Sequence, residues 1–223
     1  LEHAETAMAG RTHGQHAQPV TLGYKTAVWL DEARRNLDRL DECRPRLLVG
    51  QFGGAVGTLA SLGEQGLAVR AGVMRELGLA EPAITWHTAR DRFVEFVAIL
   101  GLIGGLCGKI GNEVYALQRT EFAELEEPYP DGKIGSSTMP HKRNPAICES
   151  VVALSRLIRA TVGTAMETLI AEHERDKIGQ HTERDLLARA CCHADAALLK
   201  TAEILQGMTV RTDNMRDNLE ITR

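Results

Sequence analysis

Residues 93–117 read FVEFVAILGLIGGLCGKIGNEVYAL. Within them Phe93, Phe96, Val97, Leu100, Ile103, Cys107, Ile110, Val114 and Leu117 recur mostly at steps of three and four, the spacing of one face of a helix. The stripe is about 25 residues long, against about 11 to 12 for the mean globular helix, and it predicts the spine of a helical bundle. Gly101, Gly104, Gly105, Gly108 and Gly111 interrupt it. Each costs roughly 1 kcal/mol relative to alanine in a helix interior. That cost predicts close contact with a neighbouring helix, since only glycine removes the Cβ that holds two backbones apart.

Outward from this stripe the pattern stays helical. Leu30, Ala33, Leu37, Leu40 and Leu47 mark one long amphipathic helix from about Leu22 to Leu48. A glycine-rich break, Gly50 to Gly57, precedes a shorter helix from about Glu64 to Leu77, which Gly78 and then Pro82 terminate. Pro128, Pro130, Asp131 and Gly132 open a loop that runs to Asn144. Pro145 then begins a long helical pattern reaching about Ile170, and another runs roughly from Glu183 to Gln206. The chain also opens in helix-like sequence. The fold class is therefore all-α, and with no internal repeat or linker the 223 residues read as one elongated domain. The abrupt start implies that flanking parts of a longer natural protein are missing.

Composition agrees. The chain is 43% hydrophobic but only 4% aromatic, the surplus being aliphatic residues at helical spacing. A net charge of −4 from well-mixed acids and bases leaves no basic stripe for a phosphate backbone, which excludes nucleic acid as a partner. The longest uncharged apolar run, Phe96 to Gly108, is about two-thirds of the roughly 20 residues that span a bilayer, and no leader opens the chain. A soluble, cytoplasmic protein is expected, with no membrane partner. Cys43, Cys107, Cys148, Cys191 and Cys192 lie in helical patterns without CxxC spacing and read as buried small hydrophobes.

Chemistry concentrates in Gly135-Ser136-Ser137-Thr138-Met139-Pro140-His141-Lys142-Arg143-Asn144-Pro145. Small hydroxyl residues follow a glycine, and the stretch ends in an Asn N-cap with Pro at the first helical position. It reads as a flexible lid hinged on a positive helix end. Free backbone N–H groups there, with Lys142 beside them, suit a carboxylate or the enediolate formed when a proton leaves the adjacent carbon. On physical grounds alone, an ordinary capped turn with solvated charges fits the same letters.

This stretch resembles the signature loop of the fumarase/aspartase superfamily along its whole length. A second segment, Gly10-Arg11-Thr12-His13-Gly14-Gln15-His16-Ala17-Gln18-Pro19, resembles another conserved region of that family. The resemblance implies that Ser136 is the base removing the β-proton and that Lys142, Asn144 and Thr12 hold substrate carboxylate. It places His13 in the general-acid apparatus, a task suited to a group titrating near operating pH. A neutral serine is a weak base, so cationic surroundings must stabilise its alkoxide. His13 and His16 lack the acidic or cysteine companions of a metal site, and His16 reads as a structural neighbour. The family's members are homotetramers whose central helices bundle together, each active site collecting residues from several subunits, and this chain corresponds to the central helical domain with the end of the preceding region.

Two branches of the family match. Val49 to Leu59 (VGQFGGAVGTL) and Trp86 to Arg92 (WHTARDR) resemble 3-carboxy-cis,cis-muconate cycloisomerases, which form a lactone and generally lack the histidine matching His13. GRTHGQHAQP and the start of His173-Glu174-Arg175-Asp176 resemble adenylosuccinate lyases, whose next residues grip a nucleotide phosphate. In that comparison Arg175 and Arg184 are retained, while Gln180 stands where the family has a key serine. His87 reads either as a substrate contact or as a buried helix-entry histidine. The expectation is a cofactor-free and metal-free anti β-elimination from a di- or tricarboxylate, giving fumarate; no GxGxxG, P-loop or metal quartet is present. A lactone-forming cycloisomerase and a helical scaffold without activity are the alternatives.

Overall fold

Ala7–Thr12 (β1) and Gln15–Thr21 (β2) form an antiparallel hairpin, so the helix expected at the start of the chain is replaced by a β-ribbon. Its two-residue turn, His13-Gly14, has φ of 53° and 76°. Positive φ at both central positions is the type I′ geometry, whose twist matches that of the flanking strands. Ala9 pairs with Pro19 and Arg11 with His16, so Gly10 alone faces a bulge of two residues, Ala17 and Gln18, and a Cβ on it would lie 2.5 Å from the carbonyl oxygen of Gln18. Only glycine fits there.

The structure, a computed structural model, describes residues 2–130, 138–139 and 142–221. After the hairpin come α1 (Leu22–Leu47), a 3-10 turn (Ala60–Gln65), α2 (Gly66–Leu77) and α3 (Asp91–Leu117). Then follow β3 (Leu125–Glu126), α4 (Ala146–Glu167), α5 (Lys177–Gly207), β4 (Thr209–Val210) and α6 (Thr212–Glu220). The molecule is mostly helical. Gly78 ends α2 in the left-handed region, as its position in the sequence implied. The fifth helix starts at Lys177 rather than near Glu183: the Asp176 carboxylate accepts the Ile178 N–H at 2.7 Å and caps a first turn that lacks an apolar stripe. The sixth helix was unforeseen because Met215 is its one buried side chain.

The residues divide into two compact units. One comprises Leu1–Arg34, Ile103–Arg156 and His193–Arg223. Its core includes Trp29 against Leu106 and Ile110. Lys25 pairs with Glu113, and Lys109 with Glu32, which ties α1 to α3. Gly111 lets α4 approach, a Cβ there falling 3.0 Å from Val151. The other unit comprises Arg35–Leu102 and Leu157–Cys192, with a core of Val94, Val97, Ala165 and Leu186. There Gly101 meets Val162, which a Cβ would approach to 2.7 Å. Gly105 faces open space, so close packing does not explain it.

Helix α3 is long and apolar enough to cross a membrane, but 61% of its most apolar window is buried in the protein, which marks it as a core helix. All five cysteines are free thiols; Cys43, Cys107 and Cys148 are buried, whereas Cys191 and Cys192 are exposed, contrary to the expectation for that pair.

Candidate active site

The candidate residues of the hairpin turn face outward: Thr12 and His13 are exposed, and the neighbouring His16 is half-buried. Behind them Arg11 is anchored. Its guanidinium donates to both carboxylate oxygens of Glu124, at 3.0 and 2.5 Å, and lies 4.8 Å from the centre of the Phe122 ring. Glu124 is fully buried and also accepts from Asn218 Nδ2 at 2.9 Å. A buried carboxylate with this many donors is held rigidly.

Ser136, with the rest of 131–137, Pro140 and His141, lies outside the described residues. Lys142 is exposed, its N–H donating to Met139 O at 2.9 Å, and Asn144 is half-buried. The helix begins one residue later than the letters implied. Pro145 O accepts the Glu149 N–H at 2.9 Å, so Ala146 is the first helical residue and Asn144 stands outside the cap. The helix end also differs from expectation in its chemistry. Ile147 and Cys148 donate their N–H groups to Glu127 at 3.1 and 2.8 Å, so these two donors serve an internal carboxylate, not a ligand. Glu127 is 1% exposed. A buried carboxylate and the positive end of a helix satisfy each other. Burial, followed by the charge of Glu127, pushes the Cys148 thiol up, out of the range in which it would serve as a nucleophile.

Beside this segment lies a cavity of about 1010 Å³ whose walls include Tyr115, Arg119, Lys142, Asn144 and Glu149. Sequence reading missed Glu149; its place in the first turn of α4 was the available signal. Thr12 and His13 do not line this cavity. Among the described residues, a smaller one beside Gly14, Gln15 and His16 shares Glu121 and Phe122 with it. Within one chain, therefore, Lys142 and Asn144 share a wall of one cavity, and Gly14, next to Thr12 and His13 in the turn, borders a neighbouring one.

In the other unit His87 and Arg175 meet. Arg175 Nη2 lies 3.1 Å from His87 Nε2 and donates to Gly54 O. His87 is half-buried, and burial followed by the charges of Arg175 and Arg90 holds its pKa below the ordinary value, which favours the neutral ring. Trp86 is fixed by its indole N–H on Gly50 O at 2.8 Å. Arg90 forms a buried pair with Glu183. Arg184, one residue further along α5, is exposed.

Comparison with known proteins identifies the family. A family model described as lyase matches residues 1–159. The chain is 47% identical over 220 residues to an N-acetyl-S-(2-succino)cysteine lyase of Dickeya dadantii, covering 99% of this chain and 48% of that protein. It is 49% identical over 220 residues to a 3-carboxy-cis,cis-muconate cycloisomerase of Pseudomonas aeruginosa, with the same coverage of 99% and 48%. An adenylosuccinate lyase of Methanothermobacter thermautotrophicus is 43% identical, over 99% of this chain and 50% of its own length. The crystal structure of the 3-carboxy-cis,cis-muconate lactonizing enzyme from Pseudomonas putida superposes with a TM-score of 0.93 at 42% identity, covering 100% of this chain and 49% of that one. The chain thus spans about half the length of the curated relatives it matches. It belongs to the lyase family, within the fumarase/aspartase or fumarate lyase superfamily.

Proposed function

We propose that the full-length protein is a homotetrameric, cytoplasmic lyase that eliminates a leaving group from a succinyl-type substrate and releases fumarate. The observation that carries this reading is the intact segment Gly135 to Pro145, with Lys142 and Asn144 on the wall of one cavity. In this scheme Ser136 takes the proton from the carbon beside a carboxylate. Lys142 stabilises the enediolate, while Asn144 and Thr12 bind carboxylate oxygens. The His13 side supplies a proton to the departing group on the opposite face. No cofactor is needed: the electron pair left by the proton forms the double bond as the bond to the leaving group breaks, and only protons pass between protein and substrate.

The leaving group is the finer question. Arg175 and Arg184 fit an adenylosuccinate-like substrate, but Gln180 replaces the serine of a phosphate grip with a longer donor. A thioether such as N-acetyl-S-(2-succino)cysteine, named in the Dickeya relative, needs no such grip. The cycloisomerase reading draws on the 49% identity to the Pseudomonas protein; His13, generally absent from that branch, favours elimination.

The test is to offer the full-length protein adenylosuccinate, N-acetyl-S-(2-succino)cysteine and 3-carboxy-cis,cis-muconate separately, with a Ser136→Ala control. Fumarate from either of the first two, lost in the control, is the expected result. A lactone from the third with no fumarate overturns elimination, and no product at all from folded protein returns the scaffold reading.

A further inference from the structure

Between α3 and the signature segment the chain reads Glu124-Leu125-Glu126-Glu127, and its three carboxylates are 0%, 7% and 1% exposed. Such groups are rarely buried unless paired. Each is paired, and each holds a different part of the candidate site. Glu124 takes Arg11, the residue before Thr12 and His13. Glu127 takes the first turn of α4. Glu126 accepts from Arg143 Nη1 at 2.7 Å and from Arg211 Nη2 at 2.5 Å.

Arg143 lies between Lys142 and Asn144. It is held on further sides as well: its guanidinium lies 5.0 Å from the centre of the Tyr129 ring, and its carbonyl accepts from Gln118 Nε2 at 3.3 Å. The amide oxygen of the same Gln118 accepts the Glu127 N–H at 2.9 Å, which closes the network back onto the acidic strand. The Arg143 side chain is 53% exposed and that of Glu126 only 9%, so solvent screens the charge attraction and the fixed hydrogen-bond geometry matters more. The carboxylate is the immobile partner.

Building on the lyase reading, we propose that Glu126 is a positioning residue: through Arg143 it fixes the backbone that presents Lys142 and Asn144 to the substrate carboxylate. Backbone placement within a fraction of an ångström is what such binding requires. Burial alone would raise the Glu126 pKa; hydrogen bonds from Arg143 and Arg211 outweigh it and hold the group below the ordinary range, so the carboxylate stays ionised at neutral pH.

Two measurements on the full-length protein test this. Hydrogen exchange at the Lys142 and Ala146 amides, which bond Met139 O and Asn144 O at 2.9 Å each, should accelerate about tenfold or more in Glu126→Gln while the hairpin amides keep their rates. Unchanged exchange overturns the proposal whether or not the protein is a lyase. With whichever succinyl substrate is turned over, Glu126→Gln should raise KM about tenfold with a smaller change in kcat, and the effect should vanish in an Arg143→Ala background. Additive effects, or a lowered melting temperature with KM intact, would make Glu126 merely structural. Absence of fumarate from the unmodified protein defeats the lyase reading alone, leaving the exchange result to judge Glu126.

Discussion

His13 combines two demands in one side chain: it occupies a left-handed turn position and is the candidate member of the acid apparatus. Asparagine tolerates positive φ and is favoured beside glycine in type I′ turns. His13→Asn should therefore leave the melting temperature unchanged while lowering fumarate release by about 10²- to 10⁴-fold, the usual contribution of general acid catalysis. A variant that unfolds, or one that keeps full turnover, contradicts the role. Gly14→Ala separates backbone from chemistry in the opposite sense. Its Cβ would meet open space, but φ of 76° costs an L-residue roughly 1 to 2 kcal/mol, which denaturant titration would show. Glu126 sets a pH dependence of known sign. Its folded pKa is depressed from the ordinary 4.5, so its contribution is present above that value and lost as pH falls through the folded pKa. Stability measured between about pH 6 and pH 3 should decline less steeply in Glu126→Gln.

Among the elements, the long helices were legible because apolar residues repeat with the helical period; the stripe is buried along α3, whereas Leu30 and Leu37 of the α1 stripe are exposed. The hairpin was not: small residues such as Ala7, Ala9, Gly10 and Ala17 carry no period, and its turn uses His-Gly where Asn-Gly would have announced it. The motif resemblance exposed Thr12, His13, Lys142 and Asn144. It could not expose Glu124, Glu126 and Glu127, because their partners, Arg11, Arg143, Arg211 and the first turn of α4, lie apart from them in sequence. The same blindness hid the occupied end of α4. Glu127→Ala should leave the N–H groups of Ile147 and Cys148 unpaired, at a cost of about 1 to 3 kcal/mol in chemical denaturation. Breaking the buried Arg90–Glu183 pair by Glu183→Ala should cost more, about 3 to 5 kcal/mol, because a charge is stranded.

At the scale of the whole molecule, the long helices carry exposed leucines, among them Leu30, Leu37, Leu102, Leu157, Leu198 and Leu199. Apolar side chains distributed in this way fit burial against further copies of the chain. A shared site also accounts for Thr12 and His13 not being among the described residues that line the cavity of Lys142 and Asn144 within one chain. The most direct test of a base and an acid drawn from different copies is complementation. Full-length Ser136→Ala and His13→Ala proteins, each inactive alone, are unfolded together, refolded as mixed tetramers and assayed for fumarate release. The account predicts that activity returns on mixing, because some sites then receive an intact Ser136 from one copy and an intact His13 from another. Mixed tetramers that assemble but stay inactive, or a His13→Ala protein fully active by itself, would contradict it.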